Sequence, residues 1–171
     1  MRAVELTPLR PDTTLIGSVQ LYVPRNETIN EVSSILLKPA SAVWTSTAEK
    51  QGDGYTSDWV AWLKSEMPQW LNDQGVLYRV KPGARILSMN TDRDAFGIAQ
   101  HYGVPPPANP RDWLTWVGNF PWDAVKNDFD AVHHIPGSRM SNILMNTWDA
   151  ESTAWFNTRP LEKLGEVRVM S

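Results

Sequence analysis

Val76-Leu-Tyr-Arg-Val80, Lys81-Pro-Gly83, Arg85-Ile-Leu-Ser-Met89 and the stretch from Asp92 to Tyr102 read in turn as a strand, a turn, a strand and a helix. The strands are rich in apolar and β-branched residues over short runs. Pro-Gly suits the turn between them. Asn90 or Thr91 stands where a helix needs an N-terminal cap. Phe96, Ile98, Ala99 and Tyr102 supply the helix's apolar positions, and Gly103 stops it. Two strands before one helix is not the strict alternation of a parallel βαβ chain. The stretch therefore points to an α+β domain with a mixed or split sheet and short flanking helices.

Working toward the N-terminus, Ala42-Val-Trp-Thr-Ser-Thr47 and Ser18-Val-Gln-Leu-Tyr-Val23 read as strands. Between these two, Asn26 to Leu37 predicts a short helix with Ile29, Val32, Ile35 and Leu36 on one face. Glu49 to Thr56 reads as a polar loop. Thr56 or Ser57 then caps a helix over Asp58 to Met67, with Trp59, Trp62, Leu63 and Met67 near one face. Residues 1–17 contain Pro8, Pro11 and Gly17 and show no period. They read as an N-terminal arm that packs on the domain or reaches a partner, with residues 18–171 forming one domain.

Toward the C-terminus, Val104 to Pro110 is a proline-rich connector. Two short helices follow, over Asp112 to Val117 and Pro121 to Phe129. Asp130 to Ile135 and Glu151 to Phe156 read as strands. Asn142 to Thr147 reads as a strand or a lining segment. Pro160 to Leu164 reads as a turn, with a last strand over Gly165 to Val169.

Composition sets the outer bounds. A chain of 171 residues favours a single domain and can bury roughly 70% of its unfolded surface without a disulfide or metal staple. It has no cysteine, which fits a reducing compartment such as the cytoplasm. A net charge of -3 with a pI near 5.6, and no block of like charge, argues against non-specific DNA binding. No apolar run is long enough to span a membrane. The 9 tryptophans exceed what a small core needs, so some are expected to line a cleft or a contact surface.

Three motifs carry candidate chemistry. In Val43-Trp44-Thr45-Ser46-Thr47, alternation puts Thr45 and Thr47 on one face and Ser46 on the other. Such hydroxyls suit a ribose or an amide. In Trp148-Asp149-Ala150-Glu151, two carboxylates beside aromatics suit a sugar hydroxyl or a developing cation, and on an extended chain they share a face. In Asp130-Ala-Val-His133-His134, neighbouring histidines on a strand point to opposite faces. They are poorly placed to share a metal, so no metal site is expected.

The ordered set Lys38-Pro39, Val43 to Thr47, Ser57-Asp-Trp-Val-Ala-Trp62, Trp122 with Phe129-Asp-Ala-Val-His133, and Trp148 to Thr153 resembles uncharacterised proteins of tailed phages and actinobacteria. The order of a hydroxyl-rich strand, the Arg85 to Leu87 strand, the Ala131-Val132 strand and a late glutamate is also similar to the ADP-ribosyltransferase fold. That second resemblance implies NAD as cofactor and transfer of ADP-ribose to a host protein or nucleic acid, or NAD cleavage. It implies Glu151 as the catalytic carboxylate and Thr45, Ser46 and Thr47 as the second NAD motif. Tyr22, Trp44 and Trp148 would stack on nicotinamide, with Asp149 beside them. The first strand carries Tyr22-Val23 where that family has a basic residue, and Arg25 is the nearest cation. The alternative expectation is a non-catalytic protein that binds a host factor, a nucleotide signal or a virion component.

Overall fold

The computed structural model describes residues 9, 11–24, 37–39, 41–137 and 142–171. Arg25 and nearly all of the helix expected from Asn26 to Leu37 lie outside the described residues. Among those described, nine strands and four short α-helices build a mixed α+β architecture.

Seven strands form one sheet in the order β6-β7-β8-β2-β1-β5-β9. They are β1 (Val19–Tyr22), β2 (Val43–Thr47), β5 (Gln74–Val80), β6 (Ile86–Ser88), β7 (Ala131–His134), β8 (Ser152–Trp155) and β9 (Leu161–Arg168). Within this sheet β6 and β7 run parallel, and the other neighbours are antiparallel. The parallel pair is joined through α2 (Asp92–His101), α3 (Trp113–Gly118) and α4 (Trp122–Asp128), a helical crossover the grouped strands did not suggest.

Three local expectations are corrected. The polar stretch Glu49 to Thr56 is a hairpin, β3 (Glu49–Gln51) with β4 (Gly54–Thr56). Its exposed β3 side chains carry no apolar alternation to betray it. A Cβ on Gly54 would sit 2.5 Å from the Arg168 carbonyl oxygen, so a glycine lets the hairpin lie against the end of β9. Of the two readings of Asn142 to Thr147 the strand gives way to the lining segment: Asn142, Met145 and Asn146 line a small cavity, and residues 145–147 form a 3-10 turn, because Asp92 accepts hydrogen bonds from the backbone N–H groups of Ile143, Leu144 and Met145. Pro160 to Val169 is not a turn and then a strand: one strand passes through Gly165 and pairs with β5 from Leu161 to Arg168.

The capped helices follow the sequence reading. Ser57 caps α1 (Asp58–Glu66) by accepting from the Val60 N–H. Thr91 and Asp94 form a reciprocal capping box on α2.

Strand alternation distributes the core over both faces of the sheet. Leu87, Val132 and Ala154 pack with α2, α3 and α4 and with Trp148. Ile86, Ala131 and Trp155 face the other way, onto Leu15 of the N-terminal arm. Leu21, Val23 and Leu77 pack on Val60 of α1. The arm is docked by Pro11 bridging to Leu87 and by the Asp12 N–H donating to the Ile86 carbonyl. Because β7 and β8 are covered on both faces, all of their residues are buried, polar ones included.

Candidate functional site

β2 lies between β1 and β8 and is the strand around which the site forms. It pairs with β1 only at Gln20↔Thr47 and Leu21↔Ser46. Beyond that point β1 stays with β5 while β2 stays with β8. A cleft of about 430 Å³ opens where they part. Its described lining includes the aromatic rings of Tyr22, Trp44 and Trp59, with Val43, Thr45 and Ser152. Trp59 is stacked on Trp62, one helical turn along α1, with ring centroids 4.9 Å apart and planes 17° apart.

Beside the cleft is a dense polar cluster centred on Glu151, the residue just before β8. Its Oε2 accepts from Ser46 Oγ at 2.9 Å and from the Thr47 N–H at 2.9 Å. Its Oε1 accepts from Thr47 Oγ1 at 2.8 Å and faces His133 Nε2 at 2.7 Å. The Ser46 hydroxyl also lies 2.7 Å from the Glu151 carbonyl oxygen. On the far side of the ring, His133 Nδ1 lies 3.4 Å from Asp12 Oδ2.

A directed chain of donors runs into this cluster. Trp155 Nε1 donates to Thr45 Oγ1, which donates to Gln20 Oε1. Gln20 Nε2 donates to Thr47 Oγ1, which donates to Glu151. Each member has its proton committed, so the chain polarises in one sense. Thr153 sits between Thr45 and His133 in the ladder and is wholly buried. Its hydroxyl has no partner among the described residues.

Burial of Glu151 opposes its ionisation. The hydrogen bonds from His133 and Thr47, together with the His133 charge, outweigh that and hold its carboxyl below the usual glutamate value. Asp12 behaves alike: burial raises it, but the Thr14 hydroxyl and N–H and the neighbouring His133 bring it below the ordinary aspartate value. His134 points away from this cluster, as the strand alternation requires. Its Nδ1 lies 2.9 Å from the Met89 carbonyl, and burial keeps the ring below the ordinary histidine value.

The sequence-predicted residues thus divide. Tyr22, Trp44 and Thr45 line the cleft, while Ser46 and Thr47 converge on Glu151. Trp148 and Asp149 do not line the cleft; with His134, Asn90 and Asn142 they line a separate cavity of about 50 Å³. Trp148 is buried, donates from Nε1 to the Leu37 carbonyl, and meets Trp44 edge-on at 4.8 Å. Asp149 is exposed and pairs with Lys38 at 3.5 Å. The chain bends at Ala150 and Glu151 instead of running extended, so the two carboxylates do not share a face.

Sequence reasoning passed over Gln20, Trp59 and Asp12 as site residues. Trp59 was accessible from the capped, tryptophan-bearing helix. Asp12 carried no signal, since it stands in an aperiodic arm 121 residues from its partner His133. Among the described residues, no group of three His, Cys, Asp or Glu is arranged to hold a metal ion, and no helix is long and apolar enough to cross a membrane. Compared with family models, with curated proteins and with solved structures, the chain matches none.

Proposed function

We propose that this domain is a non-catalytic binding module whose cleft takes a flat, hydroxyl-bearing ring compound of the nucleoside type. The observation that carries this reading is the cleft itself: Tyr22, Trp44 and Trp59 wall it, and its described lining holds no charged residue. Stacking a base on aromatic side chains contributes about 1–3 kcal/mol per base. With their protons held by Gln20 and the Ala150 carbonyl, the Thr45 and Ser152 hydroxyls can meet a ligand only as acceptors.

Saturation of Glu151 favours binding over chemistry. A carboxylate has roughly four lone-pair sites; His133 and the two groups of Thr47 occupy three, and Ser46, whose one proton is shared with the Glu151 carbonyl oxygen, stands at the fourth. A ribose hydroxyl that recruits Glu151 exchanges one charge-assisted bond for another and leaves the displaced donor to find a new partner, so that contact adds little to binding.

A second reading, NAD-using ADP-ribosyl transfer, is favoured by the meeting of Ser46, Thr47 and Glu151 beside the cleft. In it, the C1′–N bond to nicotinamide breaks and nicotinamide leaves. The ionised Glu151 stabilises the oxocarbenium-like charge. Water or a target side chain then adds at C1′ and gives up its proton to solvent. This step needs Ser46 or Thr47 to release the carboxylate first.

Titration of adenosine and of NAD, followed by tryptophan fluorescence, with nicotinamide release measured in parallel, separates the two. Binding weakened by Trp44→Ala or Trp59→Ala, without nicotinamide release, supports the module. Nicotinamide release abolished by Glu151→Gln supports transfer. No saturable binding of either compound at millimolar concentration removes both.

A further inference from the structure

We propose that His133 carries a proton on both ring nitrogens and bridges two carboxylates, Glu151 and Asp12, as an internal ion triad that ties the N-terminal arm to the binding site. Hydrogen-bond polarity carries this assignment, whichever ligand the cleft takes. Nε2 is 2.7 Å from Glu151 Oε1, a distance that requires a proton between them. Nδ1 faces Asp12 Oδ2 at 3.4 Å. A bare Nδ1 lone pair there would oppose a carboxylate lone pair in a buried setting, with the ring 3% and the Asp12 side chain 10% exposed. A second ring proton turns that repulsion into attraction.

The other groups around the ring are consistent with two ionised carboxylates. Asp12 Oδ1 accepts from both the Thr14 N–H and the Thr14 hydroxyl, which orients the other oxygen toward His133. Glu151 is held by Ser46 and Thr47. Both carboxyls sit below their ordinary values. The three members come from the arm, from β7 and from the approach to β8, so the triad cross-links regions far apart in the chain.

Asp12 and His133 are therefore positioning residues. They hold Glu151, whose hydroxyl and amide donors are the last two residues of β2 and follow directly on the cleft-lining Thr45. In this arrangement the arm is part of the site.

Long-range proton–nitrogen spectra of the ¹⁵N-labelled full chain near neutral pH test the assignment, with the His101→Gln variant used to sort the three rings. Both His133 nitrogens are expected in the protonated range. Asp12→Asn should shift chiefly Nδ1, and Glu151→Gln chiefly Nε2. A wild-type spectrum with either nitrogen in the unprotonated range overturns the proposal, and that result stands even where a variant fails to fold. A folded Asp12→Asn protein with an unchanged Nδ1 signal also overturns it. Neither result bears on ligand titration, so failure here is distinct from failure of the binding reading.

Discussion

The two sides of β2 are built on opposite principles. Toward β1 the strand parts from its neighbour, and aromatic rings stand around a hollow. Toward β8 it stays paired, and Ser46 and Thr47 close on Glu151 with every proton committed. A hollow with apolar walls has free contact surface to offer a ligand. A saturated carboxylate has almost none, but it holds three distant pieces of chain in register. One short run of hydroxyl residues serves both, and adjacency in sequence says little about which residue contacts a ligand.

Removing Glu151 is the strongest way to break this comparison. Glu151→Ala strands Ser46, Thr47 and the Nε2 side of His133 in a buried setting, and breaking such a buried pair costs about 3–5 kcal/mol. Urea unfolding should show that loss; a change under 1 kcal/mol would mean the cluster is not a structural tie.

Next is the clamp on the 3-10 turn. Asp92→Ala leaves the N–H groups of Ile143, Leu144 and Met145 without their acceptor. A stability loss of about 2–3 kcal/mol is expected, in line with the loss of charged hydrogen bonds, and amide exchange should quicken over residues 143–147.

Acid should separate the two sides of the sheet. His134 is held below its ordinary 6.5, so its stabilising share is complete above that pH and falls away on acidification. Glu151 is held below 4.5, so its share is complete above that value and is lost as the pH falls through the lower, folded one. Stability should thus decline in two stages; Glu151→Gln should flatten chiefly the more acidic stage, and by removing a negative charge near His134 should move the first stage slightly as well.

In the cleft the expectation reverses. Trp59 is only half-buried, so Trp59→Ala should weaken ligand binding by about 1–3 kcal/mol, roughly five- to 150-fold, with a smaller effect on unfolding. The smallest effect belongs to the surface. Lys38–Asp149 is a partly exposed ion pair, and Asp149→Ala should change stability by about 0–1 kcal/mol. A large effect on ligand affinity would instead bring Asp149 into the site.

Much of the framework was legible. Ser57 and Thr91, each one of two adjacent capping candidates, mark helix starts because a cap is a local event, settled within four residues. The β5 and β7 runs declare themselves through apolar and β-branched residues. The hairpin over Glu49 to Gln51 was not legible, because its side chains face solvent and carry no pattern. Gly165 was read as the start of a strand and proved to be its middle, where β5 shifts register between Leu77 and Tyr78. At the site, Ser46, Thr47 and Glu151 were visible as chemically apt residues. Asp12 was not, since nothing near it in sequence hints at a partner.

By itself the sequence determined most of the described strands, the neighbourhood of two helix caps and the opposed faces of His133 and His134, because these follow from backbone periodicity and contacts a few residues long. The tertiary structure alone decided that β1 and β2 part to leave a cleft. It alone decided that β6 and β7 run parallel, and that Asp12, His133 and Glu151 meet. Those outcomes depend on strand order and on pairings more than a hundred residues apart, where many arrangements satisfy the same local pattern and only the burial of both sheet faces selects among them.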